Sequence, residues 1–442
     1  MRRVVKVSRI RIIITIIVVV LTTLLTGCTG KEPNEIAYVV ALGIDSTDDD
    51  NYKITIQYAN TTQISGGASE SGGKAGSEIV DNVTIEAPNI YAGVGLANNI
   101  VSKSFSMSHA KLIVFSKEIA EKGVKDMIET LVRSEEIRPD VFIAVANTTA
   151  NDYLTSVNPE MEVNPAQYYQ LIYQKNQLVG IPDGQLREFF TGLYTDNYDS
   201  IFPVAGVIEG SGGNSQNEGS EGSSESLDSF ESKNSDENEK EKDAEKNTSK
   251  YEYDIKNYVG GETAIEKKNK AEAIGAAVFE KDKMVGELGE VETEICKMLK
   301  GDYTYSYLTY YNNDTPDIPI TVKTTQQKKP KYKIDTDKKT VDIELYIESD
   351  LYSLPSDYNV ENKIEDFERD VANYTSSACT EFINNFTKKY NSDILKLNEK
   401  VKYKFLTNNQ YNWFKKNVGW SEYKFSVCTD FKVRRTGLIV RE

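Results

Sequence analysis

The sequence predicts a multidomain α+β protein with an α/β N-terminal part and a C-terminal part that combines a mostly antiparallel sheet with long helices. Between Asn34 and Val207, apolar runs of strand length alternate with segments of helical periodicity, an order typical of α/β domains. Residues 361–390 carry an apolar stripe at spacings of three and four, which indicates one long amphipathic helix. Residues 423–433 alternate between inward and outward side chains, the pattern of a half-buried strand.

The N-terminal domain is predicted over residues 34–208, either as one unit or as two subdomains. It opens with a nearly continuous apolar strand at Ile36–Ile44, and residues 54–58 alternate in polarity, so the two are expected to pair across the Asp45–Asn51 turn. The elements predicted next are a helix at Ile90–Val101, a strand at Lys111–Phe115, a helix at Ile119–Leu131, a strand at Val141–Ala146, helices at Pro165–Gln177 and Gln185–Leu193, and an extended stretch at Ile201–Val204.

The composition changes abruptly at residue 209. Residues 209–250 contain twelve acids, five bases and only three apolar side chains, Leu227, Phe230 and Ala244. Such a stretch buries too little surface to offset its chain entropy, so residues 209–260 are predicted to be a disordered acidic insertion. A tolerated insertion in a surface loop and an acidic interaction segment both fit this composition. The Gly/Ser-rich stretch Ser65–Ser77 is likewise expected to be a mobile loop.

The C-terminal domain is predicted over residues 261–442. Residues 276–279 and 284–288 flank Glu280–Lys283 as a hairpin, and a helix with apolar residues at 291, 295, 298 and 299 follows. The later predicted elements are strands at Tyr303–Tyr311, Pro330–Ile334 and Val341–Ile347, a helix at Glu361–Tyr390 and the final strand. Cys296, Cys379 and Cys428 are interpreted as small buried hydrophobic residues on separate faces, because an odd set does not suggest a disulfide framework.

Residues 1–27 predict a lipoprotein signal peptide. A basic start precedes the apolar run Ile12–Leu25, and Leu25, Thr26 and Gly27 lead into Cys28 as in a bacterial lipobox. The alternative, an uncleaved anchor from Val4 to Leu25, would place several bases in or beside the hydrocarbon. Cys28 is therefore expected to begin the mature chain as an N-palmitoyl, S-diacylglycerol cysteine, with residues 28–33 as a lipidated tether on the outer face of the membrane.

The charge of the chain limits its partners. The net charge is −16, and the five bases of residues 1–27 account for +5, which leaves −21 for the mature chain. A surface of this sign repels nucleic acid and anionic lipid head groups. No nucleic-acid partner is expected, and the lipid rather than a basic patch is predicted to hold the protein on the membrane.

The sequence contains no recognisable catalytic or metal-binding constellation. His109 is the only histidine, and no Gly-x-Ser-x-Gly motif is present. The segments Gly93–Gly95 and Gly206–Gly213 lack the spacing of a phosphate-binding loop. We therefore predict no catalytic residue, no metal and no cofactor, leave ligand-binding residues unassigned, and interpret Ser108–His109 as a hydrogen-bonding cap at a strand entry.

Several short segments together resemble one known family. They are Asn34–Ala37 with Leu42–Asp45, His109–Val114 with Glu118–Ala120 and Arg133, Gly275–Leu288 with Glu292 and Thr293, Ser392–Ile394, Trp420, and Arg434–Gly437. In this order and spacing, the chain resembles the C-subunit lipoproteins of bacterial spore germinant receptors, the Ger(x)C or GerAC type. It departs from the family pattern at Thr29–Pro33, at Ser392–Val401 and in the acidic insertion.

The resemblance implies a three-domain mixed α/β protein without known catalytic residues. It also implies a place on the outer face of the spore inner membrane, with a permease-like B subunit and a membrane A subunit as partners. Together these subunits would sense a small germinant and trigger the release of ions and dipicolinate. The first hypothesis for this chain is therefore a non-enzymatic receptor subunit.

A second hypothesis assigns the chain to a different class of function. A surface lipoprotein that captures a small solute for a transporter would need a cleft lined by aromatic side chains. The tyrosines at 168–169, 303–311 and 423 are the candidates for such a lining. A cell-wall hydrolase is the weakest alternative, because the chain has a single histidine and no metal cluster.

Overall fold

The computed structural model describes residues 13–17 and 35–436, except residues 50, 60–79, 160–161, 163, 175–179, 196, 209–256, 264–268, 313–314 and 354–362. The predicted lipobox, Cys28, the tether, the Ser65–Ser77 stretch and most of the acidic insertion lie outside the described residues. Their predicted properties stay predictions.

Nine strands form the first of two sheets. They are β1 (Ile36–Ser46), β2 (Tyr52–Ala59), β3 (Val80–Ala87), β4 (Ser104–Ser106), β5 (Leu112–Ser116), β6 (Phe142–Ala146), β7 (Ile201–Val207), β8 (Ala271–Glu280) and β9 (Lys283–Leu288). Their order is β3-β2-β1-β5-β6-β7-β8-β9, with β4 paired to β1. β1, β5, β6 and β7 are parallel, and antiparallel strands flank them. Because β8 and β9 follow residues 209–256, the sheet takes strands from both sides of the acidic stretch.

Helices cover both faces of the first sheet. They are α1 (Ile90–Ile100), α2 (Lys117–Lys122), α3 (Lys125–Val132), α4 (Ala150–Ser156), α5 (Pro165–Gln174) and α6 (Leu186–Thr195). Short polar side chains start several of them by accepting a backbone N–H, as Asn89 does from Ala92 at 2.9 Å. α1, α2, α3 and α6 pack on one face, and α4 and α5 pack on the other.

The parallel strands are buried on both faces. In β5, Ile113 and Phe115 belong to the cluster under α1, α2, α3 and α6, whereas Leu112 and Val114 belong to the cluster under α4 and α5. Successive strand residues point to opposite faces, so a strand covered on both sides must be apolar throughout. This burial explains the nearly continuous apolar run of β1.

The second sheet has five strands in the C-terminal half. They are β10 (Tyr305–Asn312), β11 (Thr315–Thr325), β12 (Lys331–Asp335), β13 (Thr340–Ser353) and β14 (Lys424–Arg435). Their pairs are antiparallel except β13 with β14, which are parallel. The helices of this half are α7 (Glu290–Lys300), α8 (Ile364–Tyr390), α9 (Leu397–Val401) and α10 (Asn408–Asn417). The apolar stripe of α8 packs on β14, where Asn384 exchanges two hydrogen bonds with the Phe425 backbone at 3.0 and 3.1 Å.

The structure confirms the α+β fold class and most of the predicted elements. The predicted hairpins are observed as the antiparallel pairs β1–β2 and β8–β9. Six elements were not predicted: β3, β4, β11, α4, α9 and α10. The single helix predicted at Ile119–Leu131 is instead two helices, α2 and α3. β3 exposes alternate polar side chains on a sheet edge, and α4 and β4 are too short to show a period.

The prediction that all three cysteines are buried holds for Cys296 and Cys379 and is wrong for Cys428. Cys296 and Cys379 are fully buried, and both belong to one apolar cluster rather than to separate ones. Cys428 is exposed. In β14, Val427 and Thr429 are buried on the inner face, so the two-residue period places Cys428 on the solvent face.

Candidate functional site

A polar cleft of about 460 Å³ lies where the N-terminal half meets the C-terminal half. The N-terminal half contributes Tyr198 and Asp199, which precede β7, and Lys281 comes from the turn between β8 and β9. The C-terminal half contributes Asp393 and Trp420. Three of these residues, Lys281, Asp393 and Trp420, belong to segments that carry the family resemblance, and the fold brings them together.

Asp393 is placed by the end of one helix and the start of another. α8 ends at Tyr390, and Asn391 follows it in the left-handed region with φ of 48°. The Asp393 carboxylate then accepts the backbone N–H of Leu397 at 2.7 Å and of Asn398 at 2.8 Å. These are the free donors at the start of α9, so Asp393 caps that helix.

Asp393 also connects the two halves. Its backbone N–H donates to Asp199 Oδ2 at 2.9 Å, and the Asp199 N–H donates back to the Asp393 carbonyl at 3.1 Å. The Lys281 N–H donates to Asp199 Oδ1 at 3.4 Å. The pKa of the Asp393 carboxyl is raised to about 7, mainly by burial and also by the nearby Asp199 charge, while the two backbone donors act to lower it.

Helix α10 makes the second connection between the halves. Lys415 Nζ donates to the Thr195 carbonyl and to Asn197 Oδ1, both at 2.9 Å. Tyr411 donates its hydroxyl proton to Asn197 Oδ1 at 3.2 Å. The cleft floor is therefore held by hydrogen bonds from the C-terminal half to the loop after α6.

Two buried polar atoms at the cleft have no hydrogen-bond partner among the described residues. They are Trp420 Nε1, on a side chain that is 2% exposed, and Asn398 Oδ1, on one that is 7% exposed. A buried polar group without a partner costs on the order of 1–3 kcal/mol, so such atoms call for a water molecule or a small polar ligand. The cleft offers a donor and an acceptor for that role.

An apolar groove of about 410 Å³ lies between β9, α7 and α8. Its walls are mainly hydrocarbon and aromatic, with Leu288, Ile295, Met298, Ala378, Phe382 and Phe386 among them. Glu294 brings a carboxyl into the groove, and its Oε1 accepts the Tyr303 hydroxyl proton at 3.2 Å. Burial raises the pKa of Glu294 to about 7.

Four of the tyrosines proposed as a ligand lining lie in the protein interior, whereas Tyr307 of β10 is exposed. Tyr168, Tyr169, Tyr303 and Tyr423 are buried, with exposed fractions between 0% and 8%. They fill the interior of the sheets because a tyrosine ring can bury its apolar body while its hydroxyl finds a partner. The aromatic side chains that line the apolar groove come from α8 instead. The sequence shows the helical period of α8 but not which part of its surface borders a groove.

The other predicted residues lie apart from the cleft. His109 is exposed ahead of β5, and its ring meets the edge of Tyr38 at 4.9 Å between centroids. Ser108 bonds locally, with its hydroxyl 3.0 Å from that of Ser106. The role of Asp393 as a cap and connector was missed, because the sequence signal for a cap is a residue directly before the helix, and Asp393 lies four residues before Leu397.

The described residues hold neither a metal-ligand group nor a membrane-spanning helix. No group of three or more histidine, cysteine, aspartate or glutamate side chains is placed to hold a metal ion in the part of the chain that the structure describes. Within the same residues, none of the helices has both the length and the apolar character needed to span a bilayer.

Two family descriptions match the chain in order. "Spore germination protein N-terminal domain" matches residues 30–207, and "Spore germination B3/ GerAC like, C-terminal" matches residues 274–437. The matches lie on either side of the acidic stretch, which neither of them includes.

The individual relatives share about a quarter of their aligned residues with this chain. Spore germination protein KC of Bacillus subtilis (strain 168) is 26% identical over 174 residues, which are 36% of this chain and 42% of that protein. Spore germination protein B3 of the same organism is 26% identical over 148 residues, 31% of this chain and 36% of that protein. The alignments therefore span about two fifths of the length of these relatives. The crystal structure of the GerBC protein superposes with a TM-score of 0.49 at 15% identity, over 89% of this chain and 96% of that chain.

Proposed function

The chain belongs to the GerAC-like family of spore germination proteins, and on that premise we propose that it is the non-enzymatic, lipid-anchored C subunit of a spore germinant receptor. In this role it assembles with membrane A and B subunits on the outer face of the spore inner membrane. The assembly senses a nutrient or another small germinant and triggers germination. The observation that carries the proposal is the ordered pair of family matches, which covers both halves of the chain.

The chemistry of the cleft agrees with a binding role rather than a reaction. Its buried carboxylate, Asp393, accepts backbone N–H groups at the start of α9 and faces another carboxylate, Asp199, across the junction. Neither is paired with a nucleophile or a metal ligand set among the described residues. Such an arrangement supports a joint between two halves.

The lipid anchor rests on the sequence. The lipobox Leu25, Thr26, Gly27 ends in Cys28, and two acyl chains on that residue hold a protein on a membrane far more durably than one chain. Residues 28–34 then form the connection to β1 at Ile36.

Purification from dormant-spore membranes tests the proposal. A tagged chain is expected to carry a lipid adduct on Cys28 and to bring A-type and B-type germination proteins with it, both identified by mass spectrometry. Cys28→Ala is expected to lose the adduct and most of the co-purified subunits, because the variant has no thiol to acylate. Thr29→Ala, one residue past the lipobox, is the matched control and keeps both.

Other outcomes would count against the proposal. An unmodified Cys28 in the native chain would contradict the anchor. A lipidated chain that brings a solute transporter, or no polytopic protein, would contradict the receptor role.

The apolar groove favours a second candidate, a surface lipoprotein that captures a small solute for a transporter. Its hydrocarbon and aromatic walls with a few polar groups, among them the buried carboxyl of Glu294, match the usual composition of a small-molecule site. A solute bound there is expected to raise the melting temperature of the mature chain, and Ala378→Trp, which fills the groove, is expected to remove that rise. Screening small solutes by thermal shift with both chains, beside Ser377→Ala as a mild control at the rim, decides whether the groove binds one.

A further inference from the structure

Three large apolar side chains stand exposed together in the C-terminal half. Tyr403 is 79% exposed, Leu406 is 95% exposed and Trp413 is 69% exposed. Leu406 and Trp413 line one shallow pocket, and Tyr403 lies three residues before Leu406. We call these three residues the apolar patch. Exposed apolar side chains that cluster in this way mark an interaction surface.

Local packing explains why the patch faces outward. The 3₁₀ turn Lys402–Lys404 and helix α10 pack against each other through the rings of Phe405 and Phe414, whose centroids are 4.9 Å apart. Thr407 starts α10 by accepting the Gln410 N–H at 3.3 Å. The chain between these elements turns at Leu406, so the patch lies at the tip of a supported loop.

The patch lies in basic surroundings, although the chain as a whole is strongly acidic. Residues 396–416 contain six lysines and one glutamate, although the whole chain has a net charge of −16. Of these lysines, Lys402, Lys404 and Lys416 are exposed beside the patch. Tryptophan, tyrosine and lysine are the residues that favour the interface between lipid head groups and hydrocarbon.

The patch lies toward the edge of the first sheet where the parallel strands begin. The registers place Ala41 beside Leu112, and Leu112 beside Phe142. Val145 pairs with Val204, so the start of β7 is level with these positions. The loop that leads into β7 holds Asn197, to which Lys415 and Tyr411 of α10 are bonded.

The chain leaves the described structure toward this same edge. β1 begins at Ile36, five residues before Ala41, so residue 35 and the loop at 197 lie toward one end of the parallel strands. Residues 28–35 can span at most about 25 Å when fully extended. A lipid on Cys28 would therefore keep this edge of the sheet, rather than the opposite one, close to the head groups.

We propose that the apolar patch and its lysines dock on the surface of a bilayer that contains anionic phospholipid, and so orient the anchored protein. This inference rests on the proposed lipid anchor at Cys28. Leu406 and Trp413 enter the head-group region, while the positive charges of the lysines are attracted to the lipid phosphates. The acidic remainder of the chain is repelled by the same surface, so the basic patch is the part that approaches it.

The two tryptophans of the chain make the docking measurable. Trp413 is 69% exposed in the patch, whereas Trp420 is 2% exposed in the interior. The lipidated mature chain is reconstituted in vesicles of phosphatidylcholine and phosphatidylglycerol, with and without brominated acyl chains. We expect a blue shift and loss of most of the Trp413 emission with brominated lipid, and a weaker effect in vesicles of phosphatidylcholine alone.

Variants assign the signal to the patch. Trp413→Phe should leave only Trp420 emission, which brominated lipid does not quench. Leu406→Ser should reduce the quenching of Trp413 without changing the circular dichroism, because Leu406 has almost no contacts to lose. The matched control is Tyr352→Ser, a 59% exposed residue at the far end of β13 from the position that pairs with β12. It should quench like the unmodified chain.

Three other results would contradict the docking, the lipid anchor or the choice of a lipid partner. A chain that floats with vesicles but shows no quenching of Trp413 overturns the docking and leaves the anchor intact. A chain without lipid on Cys28 contradicts the anchor, and the docking then stands only if added vesicles still quench Trp413. A blue shift that appears only with the A and B subunits, and not with lipid, assigns the patch to a protein partner and overturns the proposal.

Discussion

Gly206→Ala is expected to destabilise the protein by about 3 kcal/mol or more, the largest effect among the single substitutions considered. Gly206 lies in β7, and an added Cβ would lie 2.0 Å from both the Gly260 carbonyl carbon and the Gly261 nitrogen. Both atoms belong to the backbone, so no side-chain rotation relieves the overlap. Either β7 or residues 257–263 must move.

The surrounding hydrogen bonds make that movement costly. The Gly260 N–H donates to the Ile274 carbonyl at 2.9 Å, and the Gly260 carbonyl accepts from the Asn147 side chain. A shift of residues 257–263 breaks these bonds in a buried place, where each unmet group costs on the order of 1–3 kcal/mol. Urea unfolding of the mature chain, followed by circular dichroism, measures the loss.

The matched control is Gly95→Ala. Gly95 lies on the exposed side of α1, and an added Cβ meets nothing within 4 Å. Alanine is favoured over glycine inside a helix by about 0.8–1 kcal/mol, so this variant is expected to gain stability. Equal behaviour of the two variants would show that residues 257–263 do not pack on Gly206 as described.

Asp393→Asn is expected to change how stability depends on pH. An unfolded aspartate has a pKa of 3.8, and burial raises the pKa of Asp393 to about 7 in the folded protein. The folded state therefore holds this proton more tightly than the unfolded state. The contribution of Asp393 is fully present below about pH 4 and is lost as the pH rises through about 7, a change on the order of 4 kcal/mol.

Asp393→Asn removes this pH dependence and lowers the stability by an amount that does not change with pH. An asparagine does not titrate, and its single side-chain oxygen replaces the two that accept from Leu397 and Asn398. It should be less stable than the native chain at pH 5 by about 1–2 kcal/mol, and the difference should shrink or reverse at pH 8. Urea unfolding at several pH values measures both.

A second carboxyl provides the comparison. Burial also raises the pKa of Glu294, in the apolar groove, to about 7. Glu294→Gln should also weaken the dependence of the unfolding free energy on pH over the same range. The double variant should show a weaker pH dependence than either single variant. A profile of Asp393→Asn that runs parallel to the native profile would mean that the carboxyl is not held in a desolvated site.

The sequence by itself determined the elements that have a strong period or a local partner. α8 and β14 carry unbroken stripes of apolar residues, and the hairpins β1–β2 and β8–β9 join neighbouring strands. The fold class followed from these elements, and the family resemblance followed from short motifs in their order and spacing. Local periodicity reports which side of an element is buried, and short connections leave little choice of partner.

Only the tertiary structure decided which distant segments meet. It paired β7 with β8 across residues 209–256 and joined Asp393 to Asp199. It also left Leu406 and Trp413 exposed, although large apolar side chains are usually buried. The net charge of −16 does not record where the charges lie, and six lysines stand within residues 396–416 of this acidic chain. Burial and charge placement depend on contacts between residues far apart in the chain, which no local pattern contains.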